Sequence, residues 1–259
     1  MDKKEPRVEY IPVLSDASFN FECSPEWGCS HECCNNVTVT LTPYDVLRMK
    51  KALDLSSEEF LPRYTVTLKP KVGFFPLVVL KMMEETSGKP CPFVNEKGCK
   101  IFPDRPKSCR MFPLEQDKNP SMEDTYYLLK KKGFLGWEKE NEWSVYDWIF
   151  KQEIDAYEKM DYLFKAVIFH QGLNKTSEEN PKVIDMIYMA LYNLDRFRRF
   201  ILESRFLSLM DIPKDRIEKI SVDDQELMLL GFDWIRFSFF GGKTMNLRSE
   251  QTQDQVEHK

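Results

Sequence analysis

The chain has 259 residues, 42% hydrophobic and 31% charged, enough for one large domain or a domain with an appended lobe, and enough to bury a core without covalent staples. A net charge of −5 argues against a general nucleic-acid binder. No apolar run approaches the ~20 residues of a membrane-spanning helix, and the N-terminus lacks the apolar stretch of a signal peptide. The expected compartment is therefore the reducing cytoplasm, with neither nucleic acid nor membrane as partner.

In chain order, residues 1–20 read as an extended lead-in. The alternating β-branched run VTVTL at 37–41 predicts a strand. Thr42, Pro43 and Asp45 then mark a helix start, with Val46, Leu47, Met49 and Leu53 at helical spacing. Ser56 and Glu59 form a second capping box, opening a short helix through Phe60 and Leu61. Strands are predicted at 64–69, 76–82 and 125–131. Beyond them the texture turns helical. One helix is predicted from Ser144 to about His170, a second from Lys182 to Met210 and a third from Val222 to Phe239, the last favoured by Asp223 and Asp224 at its positive end. The aromatic residues of these helices read mainly as packing core, and the arginines at 196–205 as a solvated face. The fold class expected is α+β. It comprises a cysteine-rich metal-binding lobe over 1–142, packed on a C-terminal lobe of about three long helices over 143–240, with a disordered tail at 241–259.

All seven cysteines fall between positions 23 and 109, and an odd number cannot be fully paired in disulfides. Clustered thiols in a reducing compartment read as metal or redox groups. The spacing is Cys23-x5-Cys29-x3-Cys33-Cys34, then Cys91-x7-Cys99-x9-Cys109. The two blocks must converge if they share a site. Neighbouring side chains diverge in helix and strand alike, so Cys33 and Cys34 should serve two ions, or one should ligate while the other packs. Residues 89–110 carry six cationic and two acidic side chains, a basic setting that favours thiolates. The two arginines of this stretch, Arg105 and Arg110, flank Cys109 in sequence. Asp104 and Pro106 suggest a helix start there, which would further favour a thiolate. His31, between Cys29 and Cys33, is an additional candidate ligand, whereas His170 reads as a helix-end residue and His258 as solvated. The bland alternative is a structural metal that stitches loops together and does no chemistry.

Three segments in order, FECSPEWGCSHECC, LTPYDVLRMKKALDLSSEEFLPRY and CPFVNEKGCKIFPDRPKSCRMFP, resemble the CxxCxxCC, or YkgJ-type, cysteine-cluster family, to which zinc or iron chelation is attributed. The resemblance spans about residues 19–160. It includes EWSVYDWIFKQ, similar to a segment that follows the cluster in longer members. It implies that Cys23, Cys29, Cys33, Cys34, Cys91, Cys99 and Cys109 are the metal ligands, holding zinc, iron or an iron–sulfur cluster. The family also includes flagellin lysine N-methylases, which are linked to an iron–sulfur cluster. An iron–sulfur-dependent protein-lysine N-methyltransferase, using S-adenosylmethionine and a protein substrate, is thus one alternative. A zinc module that presents the helical lobe to a partner protein is another, and whether the protein is an enzyme stays open. Two departures stand out. The first cysteines here have five and then three residues between them rather than two, and the stretch KKGFLGWEKENEW lacks a cysteine found there in longer relatives. An incomplete ligand set would leave the cluster beside a pocket lined by aromatics of residues 134–148.

Overall fold

Local signals place the first two helices. A computed structural model describes residues 8–22, 32–69, 75–116, 125–130, 135–173, 180 and 182–248. Helix α1 (Pro43–Ala52) is capped by Thr42 and α2 (Ser57–Tyr64) by Ser56, both through complete capping boxes with Asp45 and Glu59. The molecule is mixed helix and sheet, with small sheets and a C-terminal region of several helices. Among the described residues no helix is long and apolar enough to cross a membrane. The chain divides into two compact units, one of Met1–Thr40 with Val79–Lys159 and one of Leu41–Val78 with Met160–Lys259.

In the first unit the lead-in forms β1 (Glu9–Leu14) and β2 (Ser18–Asn20). Strand β1 runs antiparallel to the strand at Thr125–Lys130, from Glu9 opposite Lys130 to Leu14 opposite Thr125. That central strand also pairs with Leu114–Gln116, placing Leu114 opposite Leu128. Strand β2 pairs with Glu142–Ser144. The apolar side chains of these strands meet one another in a core of Phe19, Phe21, Leu114, Leu128, Trp148 and Ile154, all less than a tenth exposed. Phe21 lies at its centre, edge-on to Trp137 at 5.2 Å and to Trp148 at 5.6 Å. Gly136 is required beside it. A Cβ there would sit 2.3 Å from the Glu22 carbonyl and 2.5 Å from the Phe21 ring. VTVTL at 37–41 is not a strand of its own, making a single bridge from Thr40 to Val79. Strands β3 (Thr65–Leu68) and β4 (Leu77–Leu80) fall within the stretches expected to be strands, and they pair with each other.

The predicted long helices are interrupted. The first is α4 (Val145–Lys151) and α5 (Ile154–Ile168), broken where Glu153 takes φ +54°. The reason is tertiary, because two arginines claim Gln152. Arg110 donates to its carbonyl at 2.7 Å and Arg105 to its side-chain oxygen at 2.6 Å. The second predicted helix is three: α6 (Lys182–Leu191), α7 (Leu194–Glu203) and α8 (Phe206–Leu209). Polar side chains that compete for backbone groups mark both breaks. Asn193 accepts from the Arg196 N–H at 3.2 Å, and Ser204 accepts from the Phe206 N–H at 3.1 Å. A helix the periodicity did not suggest, α9 (Lys214–Val222), follows Pro213. Helix α10 (Asp224–Phe240) is capped by Asp223 and ends at left-handed Gly241.

In the second unit Val46, Met49 and Phe60 are buried, as are Ile187, Leu191, Phe197, Leu227 and Ile235. Helices α6 and α10 approach so closely that a Cβ on Gly231 would meet the Ala190 carbonyl at 2.8 Å. The helical aromatics divide. Tyr157, Tyr192 and Phe197 are buried, whereas Tyr146, Phe150, Tyr162 and Phe169 are exposed and fall outside the core.

Candidate metal centre

Five of the seven predicted ligands are among the described residues: Cys33, Cys34, Cys91, Cys99 and Cys109. Cys23, Cys29 and His31 lie outside them. Cys33 and Cys34 occupy a one-turn 3-10 helix, Glu32–Cys34. Directly after it the chain meets the start of the second cysteine block. The Cys91 N–H donates to the Cys34 carbonyl at 2.8 Å, Asn35 bridges Pro90, and the Asn36 N–H donates to the Lys89 carbonyl at 3.0 Å. This backbone strap brings together two blocks that are 57 positions apart in sequence.

Beyond Cys91 the chain makes a tight hairpin of β5 (Val94–Asn95) and β6 (Gly98–Cys99), with Val94 opposite Cys99. Gly98 adopts φ +108°, a conformation that favours glycine. The Cys91 sulfur accepts from the Phe93 and Val94 N–H groups, and the Cys99 sulfur from that of Ile101. Such bonds orient a thiol and favour its ionised form. Cys109 is exposed on α3 (Lys107–Met111). Pro106 holds the cap position of that short helix, which Asp104 was expected to fill, and the cap makes no side-chain hydrogen bond.

The sulfurs influence one another. Those of Cys33 and Cys34 are 3.8 Å apart. The Cys34 thiol is pushed far above its ordinary range by its bond to Cys33, by burial and by repulsion from Cys33, Cys91 and Cys109. Burial, opposed by the Phe93 N–H and reinforced by Cys99 and Cys33, pushes Cys91 up to about 11. Cys99 is raised by burial and by Cys33, with the Ile101 N–H and Arg105 opposing. A cation among these groups would reverse the balance, since it favours the thiolate that it binds.

The two arginines have different jobs. Arg105 lowers the Cys99 pKa by its charge while donating to the Phe102 carbonyl at 2.6 Å and lying 3.7 Å above the Phe102 ring. At least one of the two was expected beside the sulfurs; Arg105 is that one, and Arg110 is a buried tie. It donates to the Gln152 carbonyl, to the Tyr157 hydroxyl at 3.2 Å and to the Pro103 carbonyl. Tyr157 completes the arrangement by donating to the Arg105 carbonyl at 3.1 Å. Gln152 and Tyr157 thus support the basic flank of the second block. Neither carries a sequence signal, because each acts from more than 40 positions away.

Of the aromatics of residues 134–148 expected beside the cluster, three tryptophans pack in or against the core of the first unit. Trp148 is buried, and Trp137 and Trp143 pack against the Phe21 cluster, while Phe134 lies outside the described residues. An open cleft of ≈ 220 Å³ occurs in the second unit, lined in part by Tyr162, Ala166, His170, Arg236 and Phe240. His170 stacks on Phe240 at 4.0 Å, and its Nδ1 accepts from the Gly172 N–H.

Thiolates are soft donors suited to zinc and iron, and the chemistry of this donor set fits either metal. Among the described residues no three cysteine, histidine or carboxylate side chains are gathered into a complete metal-holding group. Residues 22–137 match the model of the CxxCxxCC family, described as "Putative zinc- or iron-chelating domain". No solved structure matches the chain.

Proposed function

We propose that the chain binds zinc or iron through its clustered cysteines, since residues 22–137 match the model of the CxxCxxCC family, a domain type to which metal chelation is ascribed. The observation that carries this reading is the backbone strap from Cys91 to Cys34, which joins the two cysteine blocks. Cys33 and Cys34, whose sulfurs are in contact, would hold the metal, with Cys91, Cys99, Cys109 and the two earlier cysteines as candidates for the remaining positions. Bound there, zinc or iron supplies positive charge to a self-repelling group of sulfurs and cross-links segments that share little other structure. The N–H groups of Phe93, Val94 and Ile101 aim the thiols, and Arg105 offsets negative charge at Cys99. Because thiolates are the ligating form, the reading places the protein in a reducing compartment such as the cytoplasm.

Anaerobic purification followed by elemental analysis and an absorption spectrum tests it. A stoichiometric colourless zinc protein or an iron protein with thiolate charge-transfer bands is expected. Metal-free protein that takes up neither ion under reducing conditions would overturn the reading. Incubating the metallated protein with S-adenosylmethionine and lysine-bearing protein tests the methylase alternative separately.

A further inference from the structure

Adjacent side chains leave a 3-10 helix about 120° apart, given its three residues per turn, so contact between neighbouring sulfurs needs a special backbone. Here the turn stops at Cys34. Asn35 enters the bridge to Pro90, and Asn36 swings to φ +50°. The two sulfurs end 3.8 Å apart and both side chains are part-buried. That separation is far beyond the ~2.05 Å of a disulfide. It matches the edge of a sulfur tetrahedron about one ion, which is ~3.8 Å for metal–sulfur bonds of ~2.3 Å. Four thiolates on an iron–sulfur cube each take their own iron and point away from one another, spreading their sulfurs more widely.

We infer that Cys33 and Cys34 chelate one and the same ion as a vicinal pair, which makes the site a single-ion thiolate centre and not an iron–sulfur cluster. The inference rests on the metal-binding reading above and specifies its nuclearity. It replaces both options that side-chain divergence suggested, namely separate ions for the two cysteines, or one ligand and one packing residue. Cys91 is a further candidate donor, tied to the pair by the bond from its N–H to the Cys34 carbonyl. Its sulfur already accepts two backbone N–H groups, the outer support that metal-bound thiolates use. The competing explanation for 3.8 Å is an S–H···S contact between two packed thiols, and the experiment below separates the two.

The full-length protein is loaded anaerobically with cobalt(II), and Cys33→Ser, Cys34→Ser and the double variant are compared with wild type. The thiolate-to-cobalt charge-transfer band is expected to fall by a similar step in each single variant and by about twice that step in the double. The affinity should drop at least tenfold in each. A wild-type band in either single variant overturns shared chelation. X-ray absorption of the protein as purified, which needs no variant to fold, should show sulfur near 2.3 Å without metal–metal scattering. Metal–metal scattering together with acid-labile sulfide overturns the single-ion centre while leaving metal binding intact. Wild-type protein that binds neither cobalt, zinc nor iron would instead remove the reading on which the inference rests.

Discussion

The Lys50 cluster of the helical unit and the cysteine cluster of the other unit handle buried polarity in opposite ways. In the helical unit Lys50, only 5% exposed, reaches Asp195 at 3.3 Å and Asp224 at 2.7 Å. Asp195 also accepts from the Ser57 N–H at 2.5 Å and the Ser57 hydroxyl at 2.6 Å, and Asp224 pairs with Arg198. Burial alone would raise both carboxyls. Ser57 and Lys50 at Asp195, and Lys50 and Arg198 at Asp224, outweigh it and hold them below the usual range. That network neutralises itself. The thiols of the cysteine-bearing unit do the reverse, each raising its neighbours. A buried polar cluster balanced by its own fold is architecture, whereas one that repels itself is built for a ligand of opposite charge.

Metal removal should separate the units most sharply. A structural zinc can contribute on the order of 10 kcal/mol at neutral pH. Treatment with a strong chelator should therefore abolish hydrogen-exchange protection across Cys91–Cys99 and Cys33–Asn36 while α6, α7 and α10 keep theirs. Equal loss in both units would erase the distinction.

Lys50→Met attacks the other side of the comparison. Removing one partner of a buried ion pair costs about 3–5 kcal/mol, so calorimetry should show a large loss of stability with metal content unchanged. The penalty should depend on pH. Asp195 and Asp224 have folded pKa values below the unfolded value of about 3.9, so their contribution is complete well above pH 4 and is lost as pH falls through the folded values. The difference between variant and wild type should accordingly shrink below about pH 4. A difference constant from pH 7 to pH 3 would mean that Lys50 acts by packing alone.

Arg110→Gln should cost about 2–3 kcal/mol, because it strips a donor from buried acceptors. Metal retention should barely move, whereas Arg105→Gln should weaken it by removing the charge beside Cys99. Metal loss in the Arg110 variant alone would reverse the roles assigned to the two arginines. The smallest effect is expected at Gly231→Ala, about 1–2 kcal/mol from crowding the Ala190 carbonyl, seen in denaturant melts and confined to the helical unit.

Much of this was legible in the chain. The capping residues Thr42 with Asp45 and Ser56 with Glu59 act within one helical turn, so their pattern was enough to place α1 and α2. The cysteine spacing and its basic surroundings pointed to a metal, because the chemistry of a thiol travels with the residue whatever the fold. The helix breaks at Glu153, Asn193 and Ser204 were hidden within apolar periodicities that continue straight through them.

Other features depended on contacts between positions remote in sequence. Lys50 finds Asp195 across 145 positions, and Arg110 finds Gln152 across 42. Composition distinguishes neither arginine from its neighbours, yet folding makes Arg105 a partner of the cysteines and Arg110 a strut. The same holds at Cys33 and Cys34. Their adjacency was plain from the start, but covalent neighbours have no fixed sulfur separation. That distance is set by a backbone turn whose end is held by Pro90 and Cys91, nearly sixty residues away. Residue identity carries the chemistry of each donor, while its distance from the next is a property of the folded backbone.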